Sequence, residues 1–281
     1  MKCLVGTQLI DESDARISPF DRGYLFADGI YEVIAIIDSK MLDAQRHWDR
    51  LERSCGEIDL PLPMAMDELK GRIAGLIEAN GVTEGRVYFQ ITRGVAERDF
   101  AFPETSDPQL FAFVRQTDLV NTPAAHDGIA AVTVPDLRWK RRDIKSIALL
   151  PQTMAKQIAK QAGAGEAIMV EDGFITEGSS STIHMIKGDR LITRQLSNDV
   201  LPGVTRASIF DVCADLKIAV EERPFTPDEA AGANELFLTS AGALVQGITS
   251  LDGKPIGEGK VGPVTQLLRN KYIELALQTA D

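Results

Sequence analysis

The sequence predicts a mixed α/β chain in two domains, and three observations predict it. Apolar residues switch repeatedly between strand and helix periodicity, a polar proline-bearing stretch interrupts them before mid-chain, and 281 residues at 44% hydrophobic and 25% charged suffice for a sizeable core. In chain order, LVGTQLI (4–10) and YEVIAIID (31–38) read as strands, AQRHWDRLERSCGEI (44–58) and MDELKGRIAGLIEANG (66–81) as amphipathic helices, and RVYFQITRG (86–94) and QLFAFVRQ (109–116) as strands. TDLVNTPAAHDG (117–128) is the linker candidate. The expected partition is an N-terminal α/β domain over 1–117, a linker over 118–128 and a second domain over 129–281.

Beyond the linker, AAVTVPDL (130–137) is strand-like and TMAKQIAKQAG (153–163) helical. EAIMV, FITEG, TIHMIK and RLIT read as a meander broken by EDG and KGD turns, which sets Glu177 at a strand end. VTRASIFDVCADL (204–216) has helical spacing, TPDE (226–229) is a capping-box start, ELFLTSAGALVQGI (235–248) is apolar and extended, and PVTQLLRNKYIELALQ (263–278) is a closing helix.

The formal net charge of −11 argues against nucleic-acid and anionic-membrane partners, which require a positive surface field. Cys3, Cys55 and Cys213 are far apart and odd in number, so neither a disulfide framework nor a zinc site is expected. A reducing cytoplasm fits that usage. Acidic residues stand too early in MKCLVGTQLIDES for a secretory signal, no apolar run is long enough to cross a bilayer, and three scattered histidines, His47, His126 and His184, make no metal site.

Chemistry concentrates in three short segments: DIKS (143–146), TEGSSS (176–181) and LPGVTR (201–206). Lys145 offers an amine. The cations Lys140, Arg141 and Arg142 before it and Ile144 and Ile147 around it favour a neutral, nucleophilic form. Glu177 offers a carboxylate at a turn followed by three hydroxyls, and Pro202 to Thr205 open a helix with small residues, where unpaired N–H groups attract an anion. Together an amine, an acid and an anion-binding helix start suit pyridoxal 5'-phosphate: Schiff base, partner for the ring nitrogen and seat for the phosphate. Taken singly, each has a plainer reading: a surface lysine, a turn glutamate, an ordinary helix start. Arg46, Arg50 and Arg53 fall on roughly one helix face, and such a face is ordinarily solvated.

These segments, with DRGYLFADGIYEV (21–33), HWDRL (47–51), YFQITRG (88–94) and FPE (102–104) in order, resemble the fold-type IV, or class IV, aminotransferases, above all the D-amino acid (D-alanine) transaminases. The resemblance implies a small N-terminal α/β domain and a larger C-terminal pseudo-barrel domain, with the cofactor between them. It also implies a homodimer. Lys145 is then the cofactor lysine and the catalytic acid and base, and Glu177 the partner of the pyridine nitrogen. Arg50, the backbone at Val204 and the Thr205 hydroxyl hold the phosphate, Leu201 packs on the ring, and Ser180 and Ser240 contribute hydrogen bonds. Tyr31 and Arg98 bind the substrate carboxylate, the Arg98 loop coming from the neighbouring subunit. The implied reaction moves the amino group of a D-amino acid to a 2-oxo acid such as 2-oxoglutarate, by ping-pong through a pyridoxamine phosphate form.

Four positions depart from the family's pattern: Phe100 stands where a histidine helps trap the carboxylate, Thr182 for an asparagine, Ala241 for a threonine and Gly247 for a proline. Losing a donor to a carboxylate should weaken binding, since each such bond contributes roughly 1.5–3 kcal/mol. The residues leave open a branched-chain L-amino acid transaminase, an R-selective amine transaminase and an aminodeoxychorismate lyase. A binding or scaffold protein without turnover is a further alternative, opposed by the joint presence of Lys145, Glu177 and Arg50.

Overall fold

In the computed structural model, which describes residues 1–278 and 280, the chain divides into two units. Of the described residues, one comprises Met1–Asp118 and Ile144–Ala148 with Ala280, and the other Leu119–Asp143 and 149–278. The first unit contains β1 (Lys2–Val5), β2 (Gln8–Asp11), α1 (Arg22–Phe26), β3 (Gly29–Ile37), β4 (Lys40–Met41), α2 (Ala44–Gly56), α3 (Met66–Asn80), β5 (Glu84–Thr92) and β6 (Gln109–Gln116). Its strands form one antiparallel sheet in the order β2-β1-β6-β5-β3-β4. LVGTQLI is a hairpin rather than one strand, because Gly6, at φ 58°, turns the chain between β1 and β2.

Alternation along β3 divides its side chains between two faces. Ile30, Ile34 and Ile36 join Trp48, Leu51, Leu69, Ile73 and Leu76 from α2 and α3 in one core. The opposite face carries stacked rings, Tyr31 on Tyr88 at 5.7 Å and Tyr88 on Phe113 at 5.1 Å. β4 covers only Ile36 and Ile37 of one β3 edge. The edge at Gly29–Tyr31 is taken instead by residues 145–147: Tyr31 N–H donates to Lys145 O, Ile147 N–H donates to Gly29 O, both at 3.0 Å, and Ile30 bridges Ser146. This differs from the expected partition, which assigned 129–281 whole to the second domain. A two-residue β4 leaves backbone groups that the later segment satisfies.

The second unit contains α4 (Pro123–Asp127), β7 (Ile129–Pro135), α5 (Leu150–Gln161), β8 (Glu166–Glu171), β9 (Phe174–Gly178), β10 (Thr182–Lys187), β11 (Arg190–Thr193), α6 (Val204–Leu216), β12 (Ala219–Glu222), α7 (Pro227–Ala231), β13 (Glu235–Ser240), β14 (Leu244–Leu251), β15 (Lys254–Pro255) and α8 (Pro263–Gln278). The expected linker holds the helix α4, capped by Thr122. The sheet runs β12-β11-β10-β13-β14-β7-β8-β9, with β15 on β14. The expected meander is thus two hairpins, β8–β9 and β10–β11, set apart in the sheet. Only residues 179–181 join β9, at one edge, to β10, third from the other. A connection that short requires the sheet to curl until β9 comes round to β10. Ile183, Met185, Leu236, Leu238, Ile248 and Phe225 lie in the core of this curled sheet, and α7 begins with the expected capping box.

Candidate active site

In the first unit the edge pairing fixes Lys145 beside Tyr31. Its Nζ lies 4.2 Å from the centre of the Tyr31 ring, and it forms no ion pair among the described residues. Ser54 Oγ accepts from its backbone N–H at 3.4 Å. A half-buried amine over an aromatic face, unclaimed by a carboxylate, is available for covalent chemistry. Lys140, Arg141 and Arg142, expected to press charge upon it, each engage carboxylates of the second unit: Glu171, Asp143, and Glu171 with Asp136.

Arg50 is buried rather than solvated. Its Nε donates to Glu32 Oε1 at 2.8 Å and its Nη2 to Oε2 at 2.7 Å, a bidentate pair, while His47 Nδ1 lies 2.7 Å from the same Oε2. Glu32 faces the core between Tyr31 and Val33, and α2 brings His47 and Arg50 to it from adjacent turns. Burial pushes the Glu32 carboxyl up, but Arg50 and then His47 reverse this and hold it far below the usual carboxylate range. Burial lowers His47, with Arg50 and Lys145 adding to the effect against Glu32. Arg98 is exposed on the loop after β5, with the rings of Phe26 and Phe100 beside it.

In the second unit Glu177 is buried on β9 and receives two kinds of donor. Arg138 Nη1 bonds Oε1, and the Leu201 N–H is shared between Oε1 at 3.3 Å and Oε2 at 3.2 Å. Arg138 is in turn held by Asp136, with Nε on Oδ1 at 3.0 Å and Nη2 on Oδ2 at 2.6 Å, and the Thr176 hydroxyl donates to Asp136 at 2.7 Å. Burial raises the Glu177 carboxyl; Arg138 and the Leu201 N–H oppose that without overcoming it.

The three serines divide by function. Ser179 and Ser181 both donate to the buried carboxylate of Glu166, while Ser180 is exposed. α6 begins after Gly203, which has no side chain to cap the first-turn N–H groups of Val204 and Thr205, and the buried Thr205 hydroxyl has no partner among the described residues. A Cβ at Gly203 would come within 2.7 Å of Thr182 Oγ1, which keeps this helix start bare. Ser240 ends β13, and its hydroxyl accepts from Ala243 N–H at 3.1 Å. An uncapped helix start with an unpartnered hydroxyl fits a phosphate, and a buried, arginine-anchored carboxylate fits a protonated ring nitrogen.

The structure thus groups Lys145, Tyr31 and Arg50 in one unit, and Glu177, Ser180, Leu201, Val204, Thr205 and Ser240 in the other. Sequence reasoning did not single out Glu32, Asp136, Arg138 or Glu166. Glu32 was detectable as an acid at an inward position of an apolar strand, which burial requires to be paired. Arg138 was masked by the basic run that follows it.

Family membership follows from comparison with known proteins. The sequence model of amino-transferase class IV matches residues 29–251. The chain is 39% identical over 277 residues to D-alanine aminotransferase of Staphylococcus haemolyticus, covering 97% of this chain and 98% of that protein. It is 37% identical over 282 residues to D-alanine aminotransferase of Bacillus licheniformis, covering 100% and 97%. Among solved structures, branched-chain amino acid aminotransferase of Escherichia coli superposes with a TM-score of 0.91 at 22% identity, over 98% of this chain and 94% of that one. The last likeness shows the fold. The chain belongs to the class IV aminotransferases.

Proposed function

We propose that the protein is a pyridoxal 5'-phosphate-dependent D-amino acid transaminase that passes the amino group of D-alanine or a similar donor to a 2-oxo acid such as 2-oxoglutarate. The observation that carries the chemistry is Lys145, a half-buried amine lying over Tyr31 and paired with no carboxylate among the described residues. The donor class is supported by full-length relatives named D-alanine aminotransferase. The branched-chain, R-amine and lyase alternatives lack comparable support, because the branched-chain likeness is one of fold.

Bound pyridoxal phosphate supplies an aldehyde to take up the amino group and a ring to draw electrons from the substrate α carbon. Lys145 Nζ holds the cofactor at rest, takes the α proton and returns it, serving as base and acid in turn. Glu177 keeps the ring nitrogen protonated. Arg50, the first-turn N–H at Val204 and the Thr205 hydroxyl hold the phosphate, Leu201 packs on the ring, and Ser180 and Ser240 donate to cofactor oxygens. Tyr31 and Arg98 bind the substrate carboxylate. We further infer a homodimer in which the loop bearing Arg98 serves the neighbouring subunit. A reducing cytoplasm agrees with three buried free cysteines, of which burial pushes Cys55 up to about 12 and Cys213 up to about 11. No helix among the described residues is long and apolar enough to cross a membrane.

Steady-state transfer from D-alanine to 2-oxoglutarate tests this. Parallel double-reciprocal lines, with no turnover when the acceptor is omitted, are expected of a ping-pong transaminase. Turnover without an acceptor would indicate a lyase.

A further inference from the structure

An alternating stack of arginines and aromatic rings runs out to Arg98 and Phe100. At its buried end the Arg93 guanidinium lies 3.7 Å from the Phe102 ring centre; Arg22 follows, 5.9 Å from Phe102 and 4.7 Å from Phe26; Arg98 comes next, 5.3 Å from Phe26 and 5.7 Å from Phe100. The last two rings meet at 5.6 Å. The base of the stack is rigid. Arg22 Nε and Arg93 Nε donate to one buried carboxylate, Asp28, at 2.7 and 2.9 Å, and Arg93 also donates to the carbonyls of Ile58 and Asp59. Arg22 Nη1 donates to the carbonyls of Asp99 at 2.7 Å and Ala101 at 3.3 Å, which ties down the loop carrying Arg98 and Phe100.

The exposed end is built differently. Arg98 has neither a hydrogen bond nor an ion pair among the described residues, although Glu97 and Asp99 flank it, and Phe100 is 81% exposed. An arginine oriented by a carboxylate surrenders N–H donors to it. Rings attract the guanidinium through their faces and leave its in-plane donors available.

From this geometry we infer that Phe26 and Phe100 are positioning residues for Arg98: they set its orientation while leaving its fork open to the substrate carboxylate. The inference rests on the proposed role of Arg98 in binding that carboxylate. It assigns Phe100 a use of its own at the position where the resembling transaminases carry a donor.

The test uses holoprotein with the F100A, F100Y and R98A variants, measuring the apparent Kd for D-alanine and the limiting rate of the half-reaction. Phe100 is exposed, so folding is not at issue. A cation–π contact at an exposed site is worth about 0.5–1 kcal/mol, so F100A should raise Kd roughly two- to fivefold with the limiting rate unchanged. F100Y, which retains the ring, should stay within about twofold of the parent. R98A should raise Kd on the order of tenfold or more, as loss of a charge-assisted bond requires. If R98A weakens D-alanine but F100A does not, the positioning role is overturned while the carboxylate role stands. If R98A leaves Kd unchanged, the carboxylate role fails, and the positioning role with it.

Discussion

Glu32 and Glu177 are both buried and both bonded to an arginine, yet their proton affinities move in opposite directions. Glu32 lies between Arg50 and His47, whose charge and hydrogen bonds overcome the burial that would raise it. Glu177 has Arg138, but that guanidinium is shared with Asp136, whose charge also opposes ionisation of Glu177, and burial keeps the upper hand. Counting cations against anions around each acid decides the sign. The difference suits the proposed roles. Glu32, held ionised, braces the arginine proposed to bind phosphate, whereas Glu177 retains affinity for a proton, as suits a partner proposed for a ring nitrogen.

The largest expected effect comes from removing Glu177, the acid proposed to pair with the cofactor ring. E177Q should lower the half-reaction rate roughly 10²–10³-fold, the scale seen when one preorganised electrostatic partner of a developing charge is lost. Single-turnover kinetics on the loaded variant would measure it, and a rate within threefold of the parent would remove Glu177 from the chemistry. E32Q should act first on stability. It leaves Arg50 buried without its counter-charge, at a cost of about 3–5 kcal/mol, and should lower the thermal midpoint and loosen the cofactor. An unchanged midpoint would show that the pair is neutral and that Arg50 is oriented by other contacts.

A smaller effect appears on acidification, and its sign follows from linkage. A carboxylate whose folded value is depressed, as for Glu32, contributes stability above its unfolded value and loses it as pH falls through the folded one. Glu177, raised, has the opposite sign and relieves the folded state as it takes up a proton. His184 adds to the loss. It is buried against Phe237 with Nε2 at 2.9 Å from the Thr239 hydroxyl and Nδ1 unpartnered among the described residues, and burial, with Arg206, pushes it down to about 3. An unfolded histidine binds its proton near pH 6.5, so stability should fall below that pH by at most about 1.4 kcal/mol per unit from this group. H184Q should flatten the limb between about pH 6.5 and 4.5 in denaturant titrations. The same slope in parent and variant would assign the acid limb to other groups.

Strands and helices with strong periodicity were legible in the sequence: β3, α2, α3, β5, β6 and α6 fall where alternation or helical spacing places them. What was hidden depended on pairing between distant segments. The path from FITEG to TIHMIK reads locally as a meander, and only the ladders to β8 and β13 reveal two separated hairpins. Likewise, nothing in DIKS shows that its backbone completes the edge of β3, since the vacancy there is set by the brevity of β4. Lys145, Glu177 and the bare start of α6 could be chosen as chemistry by residue type. The charged groups behind the site, Arg138 and Asp136 at Glu177, Glu32 at Arg50 and Glu166 at Ser179 and Ser181, have a meaning that lies in burial, which periodicity does not report for isolated polar positions.

The most direct measurement is the half-reaction itself: purified, cofactor-loaded protein mixed without acceptor with D-alanine or with L-alanine, following the bleaching of the holoprotein's visible absorbance. A D-amino acid transaminase bleaches rapidly with D-alanine alone, and K145A abolishes the change. Bleaching by L-alanine instead, or by neither isomer, would contradict the assigned donor.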